Sequence, residues 1–76
     1  MNEPQVGEVW THYKGNRYTI KDIAVIEENM IDCAIYYRSD GSDHTLWVRP
    51  LHDFTTNVFD EDGKVVPRFT LTEEAI

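Results

Sequence analysis

A single cysteine, Cys33, stands in a chain of 76 residues. No internal disulfide can therefore form, and no cysteine-based zinc site can be built. The longest apolar runs, such as Ile23–Ile26, are a few residues long, far too short for a membrane-crossing helix. The start, Met1-Asn2-Glu3-Pro4, lacks the basic residues and apolar stretch of a secretion signal, so a cytoplasmic location is expected. Basic residues are scarce: seven Lys+Arg face fourteen Asp+Glu, a net charge of −7 with neutral histidines. Phosphate-backbone recognition needs a basic face, so nucleic acid ranks last among partners. The histidines His12, His44 and His52 have no metal-ligand spacing, and no glycine-rich phosphate loop is present. Neither a metal nor another cofactor is expected.

What is present suits one small folded domain. Apolar residues make up 41% and aromatics 12%, enough for a thin core and too many for ordinary disorder. A domain of this size buries only about 60% of its unfolded surface, so association with a second copy would help it.

No segment holds a helical period over ten residues, whereas two-residue alternation recurs. Glu8–Tyr13 alternates weakly, and Gly15-Asn16 after it suits a tight hairpin turn. From Arg17 the apolar positions run Tyr18, Ile20, then slip to Ile23 and Val25, which predicts a β-bulge near Lys21-Asp22. Glu27-Glu28-Asn29 is a turn. Ile31, Cys33, Ile35 and Tyr37 alternate with Asp32, Ala34, Tyr36 and Arg38, the clearest strand in the chain. Ser39–Asp43 reads as a loop. Leu46 and Val48 then share one face, expected to be the core side, with Trp47 and Arg49 on the other. Pro50 ends that strand, Leu51–Phe54 forms one helical turn, and Thr56–Phe59 pairs with Val65–Leu71 across a turn at Gly63. The expected fold is all-β: a small SH3-like antiparallel barrel of five to six short strands with one short helical turn. A plain meander sheet that dimerises through its open face is the alternative. Residues 6–71 would form the domain, with residues 1–5 an N-terminal tail and 72–76 an acidic C-terminal tail.

Little supports nucleophilic catalysis. Cys33 lies among apolar positions and reads as a small buried hydrophobe rather than a reactive thiol. The acidic pairs Glu27-Glu28, Asp60–Asp62 and Glu73-Glu74 read as solvated charge. The informative pattern is aromatic beside arginine: Trp47 with Arg49, Tyr36 with Arg38, and Arg68 with Phe69. A ring next to a guanidinium suits a planar, anionic ligand, through stacking and forked hydrogen bonds. The ordinary alternative is that the rings fill core and each arginine pairs with one of the many acids.

The blocks Gly7-Glu8-Val9-Trp10, His12-Tyr13-Lys14-Gly15, Trp47-Val48-Arg49-Pro50 and Pro67-Arg68-Phe69, in this order, resemble the domain of unknown function 1653 family. The resemblance extends over residues 7 to 69 and takes in Tyr18, Glu28, Tyr36 and Phe54. It implies a compact β-rich domain of the small bacterial and phage type, without an assigned activity. Where the family tends to read His-Ser-Glu-Thr, this chain has Ile26-Glu27-Glu28-Asn29, so only Glu28 carries over.

From these residues the first expectation is a non-enzymatic small-molecule-binding protein. Tyr36, Trp47 and Phe54 would stack a planar ring, with Tyr13 beside them. Lys14, Arg49 and Arg68 would hold phosphate or carboxylate, and Glu28 would accept from a base edge or ribose. The concrete form is a phage-type protein sequestering a nucleotide-derived signal, in a pocket shared between subunits of a homo-oligomer. The second expectation is an SH3-like protein-interaction module for an extended or basic peptide segment. An enzyme acting on nucleotides through Glu28, His12 and the arginines comes third.

Overall fold

In the computed structural model, which describes residues 3–75, the Tyr13–Asn16 turn joins β1 (Val9–His12) to β2 (Arg17–Ile26) as an antiparallel hairpin. β2 pairs with β3 (Ile31–Arg38), and β3 with β4 (Trp47–Pro50). Pro50 cannot extend the ladder, and the chain turns there into α1 (Leu51–Phe54), the single helical turn expected. β5 (Asn57–Phe59) and β6 (Val65–Pro67) form a separate two-stranded ribbon. β7 (Phe69–Glu73) returns to pair with β1, completing a five-stranded antiparallel sheet in the order β4-β3-β2-β1-β7.

The all-β expectation holds, with two differences of detail. Val65–Leu71 is two strands rather than one. Pro67 has no N–H to continue the ribbon, the Arg68 N–H is bonded to the Thr56 carbonyl at 2.8 Å, and Phe69 opens a strand in the other sheet. The five-stranded sheet is also open, with β4 and β7 as its edges. β7 runs through Glu73, so the last strand takes in the first two residues of the expected C-terminal tail; Met1, Asn2 and Ile76 of the two tails lie outside the described residues.

The bulge is where the apolar phase put it. Ile20 opposes Tyr36, but Asp22 opposes Ile35, leaving Lys21 as the extra residue. The insertion turns Asp22 away from the core and brings Ile23 onto it, opposite Ala34.

One face of the sheet carries the core: Trp10, Ile20, Ala34, Tyr36 and Phe69, covered by Leu51 and Phe54 of α1. Phe54 and Phe69 stack at 3.9 Å, and Tyr36 meets both edge-on at 5.3 and 5.8 Å. Trp10 adds an edge contact to Phe54 at 5.5 Å. Burying such rings is worth about 1.5–3 kcal/mol each, the main stabilisation available to so short a chain.

The core side of β4 is the reverse of the sequence expectation. Trp47 opposes Tyr36 and Arg49 opposes Ala34, so Trp47 and Arg49 share the core face. Leu46 and Val48, expected inside, are 52% and 59% exposed. Strand pairing decided this: β4 must present to the core the same face as Tyr36, and the interior is aromatic rather than aliphatic.

Candidate functional site

Arg49 lies at the margin of the aromatic core. Its Nη1 donates to Asp53 Oδ2 at 2.6 Å, one helical turn along the chain. Burial alone would lower the Arg49 pKa. The neighbouring Tyr36 side chain and the Asp53 carboxylate outweigh it, and the guanidinium is held above its ordinary range. Its Nε is enclosed without a hydrogen-bond partner, as is Nε of Arg38. The side chain keeps 30% of its surface in solvent, so the internal carboxylate does not use up its donors.

Across the core, β1 ends on His12. Its ring packs edge-on against Phe69 at 5.0 Å and lies 4.5 Å from the ring of Tyr13. His12 Nδ1 accepts the Lys14 N–H at 3.1 Å. A neutral imidazole with Nδ1 accepting carries its proton on Nε2, which is then a donor. The Tyr13 N–H donates to the Arg68 carbonyl at 2.9 Å, tying the first hairpin to the β6–β7 junction. Burial lowers the His12 pKa, and the charges of Lys14, Arg49 and Arg68 lower it further. Three cations from separate parts of the chain thus act electrostatically on His12, with Asp53 paired to Arg49 and Asp60, Glu61 and Asp62 lining a pocket with Lys14.

The eight candidates divide accordingly. The charges of Lys14, Arg49 and Arg68 each reach His12 strongly enough to lower its pKa, Tyr13 lies against its ring, and Lys14 Nζ is 5.8 Å from the Tyr13 ring centre. Tyr36 and Phe54 are buried in the core, where their faces are already occupied by other rings, so neither is open to stack a ligand. Tyr36 instead lies near enough to Arg49 to help raise its pKa. Trp47, 44% exposed on edge strand β4, keeps an open ring. Glu28 stands apart, exposed in the turn between β2 and β3. Arg49 opposes Ala34, and Glu28 lies beyond the far end of β3, roughly 10–20 Å away at about 3.3 Å per residue. No ion pair joins Glu28 to an arginine among the described residues: Arg49 takes Asp53, Arg38 takes Asp40 at 3.0 Å, and Arg17 takes Glu73.

Sequence reasoning passed over two residues. His12 entered only as a weak metal or catalytic candidate, though it alternates with Trp10 onto the core face. Glu8, 7% exposed, accepts the Trp10 indole N–H at 3.1 Å and the Gln5 N–H at 2.7 Å. Its two-residue spacing from Trp10, which puts both on one strand face, was the available signal. Cys33 is buried and free, as expected. Among the described residues no cluster of His, Cys, Asp and Glu is arranged to hold a metal ion, and no helix is long and apolar enough to cross a membrane.

The chain folding into this small all-β domain belongs to a family recognisable by sequence. The family described as "Protein of unknown function (DUF1653)" matches residues 8–71, and the chain is a member of it. No curated protein and no solved structure matches the chain.

Proposed function

We propose that this protein is a non-enzymatic binder of a small anionic ligand, held at the rim formed by His12, Lys14, Arg49 and Arg68. The observation that carries the reading is the gathering of these groups in a chain of net charge −7: three cations lie close enough to His12 to lower its pKa. Like charges cost free energy to assemble, and an anion bound among them offsets that cost. Arginines contribute forked donors, Lys14 a mobile charge, and neutral His12 an Nε2–H. With Tyr36 and Phe54 committed to packing, the planar part of the ligand falls to the exposed Trp47 and to Tyr13. The ligand class with both parts is nucleotide-derived, and the corresponding role is sequestration of a signalling nucleotide in the cytoplasm by a phage-type protein. Completing the pocket falls to a second subunit, since an exposed rim alone encloses little of such a ligand.

A thermal-shift screen with mononucleotides, dinucleotides and cyclic nucleotides at millimolar concentration tests this. At 100 times its Kd a ligand adds about 2.7 kcal/mol, a rise of several degrees in Tm, and Arg68→Gln reduces the rise. No rise with any of them contradicts the proposal.

A second reading has its own support. Edge strand β4 offers unpaired backbone beside exposed Leu46, Trp47 and Val48, the combination used when an extended peptide adds to a sheet. In that reading a stoichiometric protein is recovered by pull-down and lost in Trp47→Ala, without any nucleotide-dependent rise in Tm.

A further inference from the structure

The face of the sheet turned away from the core carries the strongest unexplained feature. A groove of about 520 Å³ runs between the segment before β1, the middle of β2, the end of β3 and the Ser39–Leu46 loop. That volume lies within the range of small-molecule sites, about 300–1,000 Å³. Neither His12, Lys14, Arg49 nor Arg68 lines it, so it is separate from the rim. Three exposed apolar side chains that packing does not account for, Val6, Tyr37 and Leu46, all line this groove.

Its polar groups are sorted in a way that favours an anion. The two acids of the loop are already engaged. Asp43 Oδ1 accepts the Thr45 N–H at 2.8 Å and the Thr45 hydroxyl at 2.6 Å; Asp40 accepts the Ser42 N–H at 2.9 Å and Arg38 at 3.0 Å. Hydrogen bonding holds both carboxyls below their ordinary pKa. Thr19 and Ser39 hydroxyls bond each other at 2.7 Å across β2 and the end of β3. The remaining cation is Lys21, which has no ion-pair partner among the described residues and lines the groove. Lys21 is also the extra residue of the β2 bulge. Without that insertion the strand's alternation would run unbroken; bulges of this kind re-aim a side chain and recur beside binding sites.

We propose that this groove is a second binding site, for a planar aromatic acid bearing one carboxylate. Tyr37, Val6 and Leu46 cover the ring, and Lys21 meets the carboxylate as a single point charge. A ligand with several phosphates suits it poorly, because Asp40 and Asp43 stand in the same loop.

The test is a titration of the isotope-labelled protein with indole-3-acetate, followed residue by residue by NMR. Saturable shifts are expected at Thr19, Lys21, Tyr37 and His44. Indole-3-acetamide, which lacks the charge, binds about tenfold more weakly, and Lys21→Gln removes that difference. Lys21 is exposed and unpaired, so the variant keeps the fold, which its unchanged spectrum elsewhere verifies. Absence of shifts at these residues overturns the proposal, as does equal affinity for acetate and acetamide in the unmodified chain. Shifts confined to Trp47 and Arg49 also overturn it while leaving the rim's anion site standing.

Discussion

Both faces of the five-stranded sheet carry apolar side chains, and most of those meet different fates. On one face Trp10, Tyr36 and Phe69 are sealed under Phe54. On the other, Cys33 is buried, but Val48 and Tyr37 stay exposed and Ile35 is only half-buried. The difference lies in what covers them. α1 follows β4 directly and folds back over the aromatic face, and among the described residues no helix covers the other. Burial in this small domain is therefore decided by chain connectivity more than by aliphatic character. The covered face supplies stability and sets the rim cations at its margin. The open face has apolar surface to spare for contact with something else.

The sharpest way to break this comparison is a pair of truncations. Phe54→Ala is expected to cost about 3–5 kcal/mol, a large part of the stability of a domain this small, whereas Val48→Thr on the open face costs under about 0.5 kcal/mol. Urea unfolding measures both, and similar costs would erase the distinction. A smaller effect is expected where the covered face admits a polar side chain. Glu8→Leu leaves the Trp10 indole N–H without its acceptor and should cost about 1–3 kcal/mol in the same assay. The smallest effect is pH-dependent. His12 has a folded-state pKa below its ordinary 6.5, through burial first and then the charges of Lys14, Arg49 and Arg68. The unfolded chain then binds more protons at this site than the folded one, so stability rises with pH there. The contribution is complete above about 6.5 and is lost as pH falls through the lower folded value. His12→Gln should flatten the pH dependence of stability below about pH 6.5, measured by urea midpoints, without touching the acid-range losses due to Asp40 and Asp43, whose pKa values lie below 3.8.

Much of the fold was legible because local chemistry announced it. The slip from Ile20 to Ile23 marked the bulge, Pro50 marked the end of β4, and the short Leu51–Phe54 segment marked the helical turn. The core side of β4 was not legible, because Leu46 and Val48 look more like interior residues than Trp47 and Arg49 do. Only the pairing of Trp47 with Tyr36 fixes the face, and pairing is a long-range property. The break at Pro67–Arg68 was hidden for a related reason: a strand that changes partner keeps its alternation. For the site, Lys14, Arg49 and Arg68 were readable as cations beside aromatics, and the charge of each lowers the His12 pKa. Glu28 was selected by motif position and lies at the far hairpin tip, where no single-strand pattern records distance. Tyr36 and Phe54 were read as ligand rings because composition does not tell a stacking ring from a packing one.

The account depends on the rim around His12 holding an anion, and the His12 imidazole itself is the most direct probe. Its ring-proton NMR signal can be titrated in sodium chloride and again with sulfate at the same ionic strength, sulfate keeping its charge across the range. The rim predicts a midpoint below 6.5 in chloride that moves upward with sulfate and moves less in Arg68→Gln. A midpoint identical in the two salts would contradict an anion site at this rim.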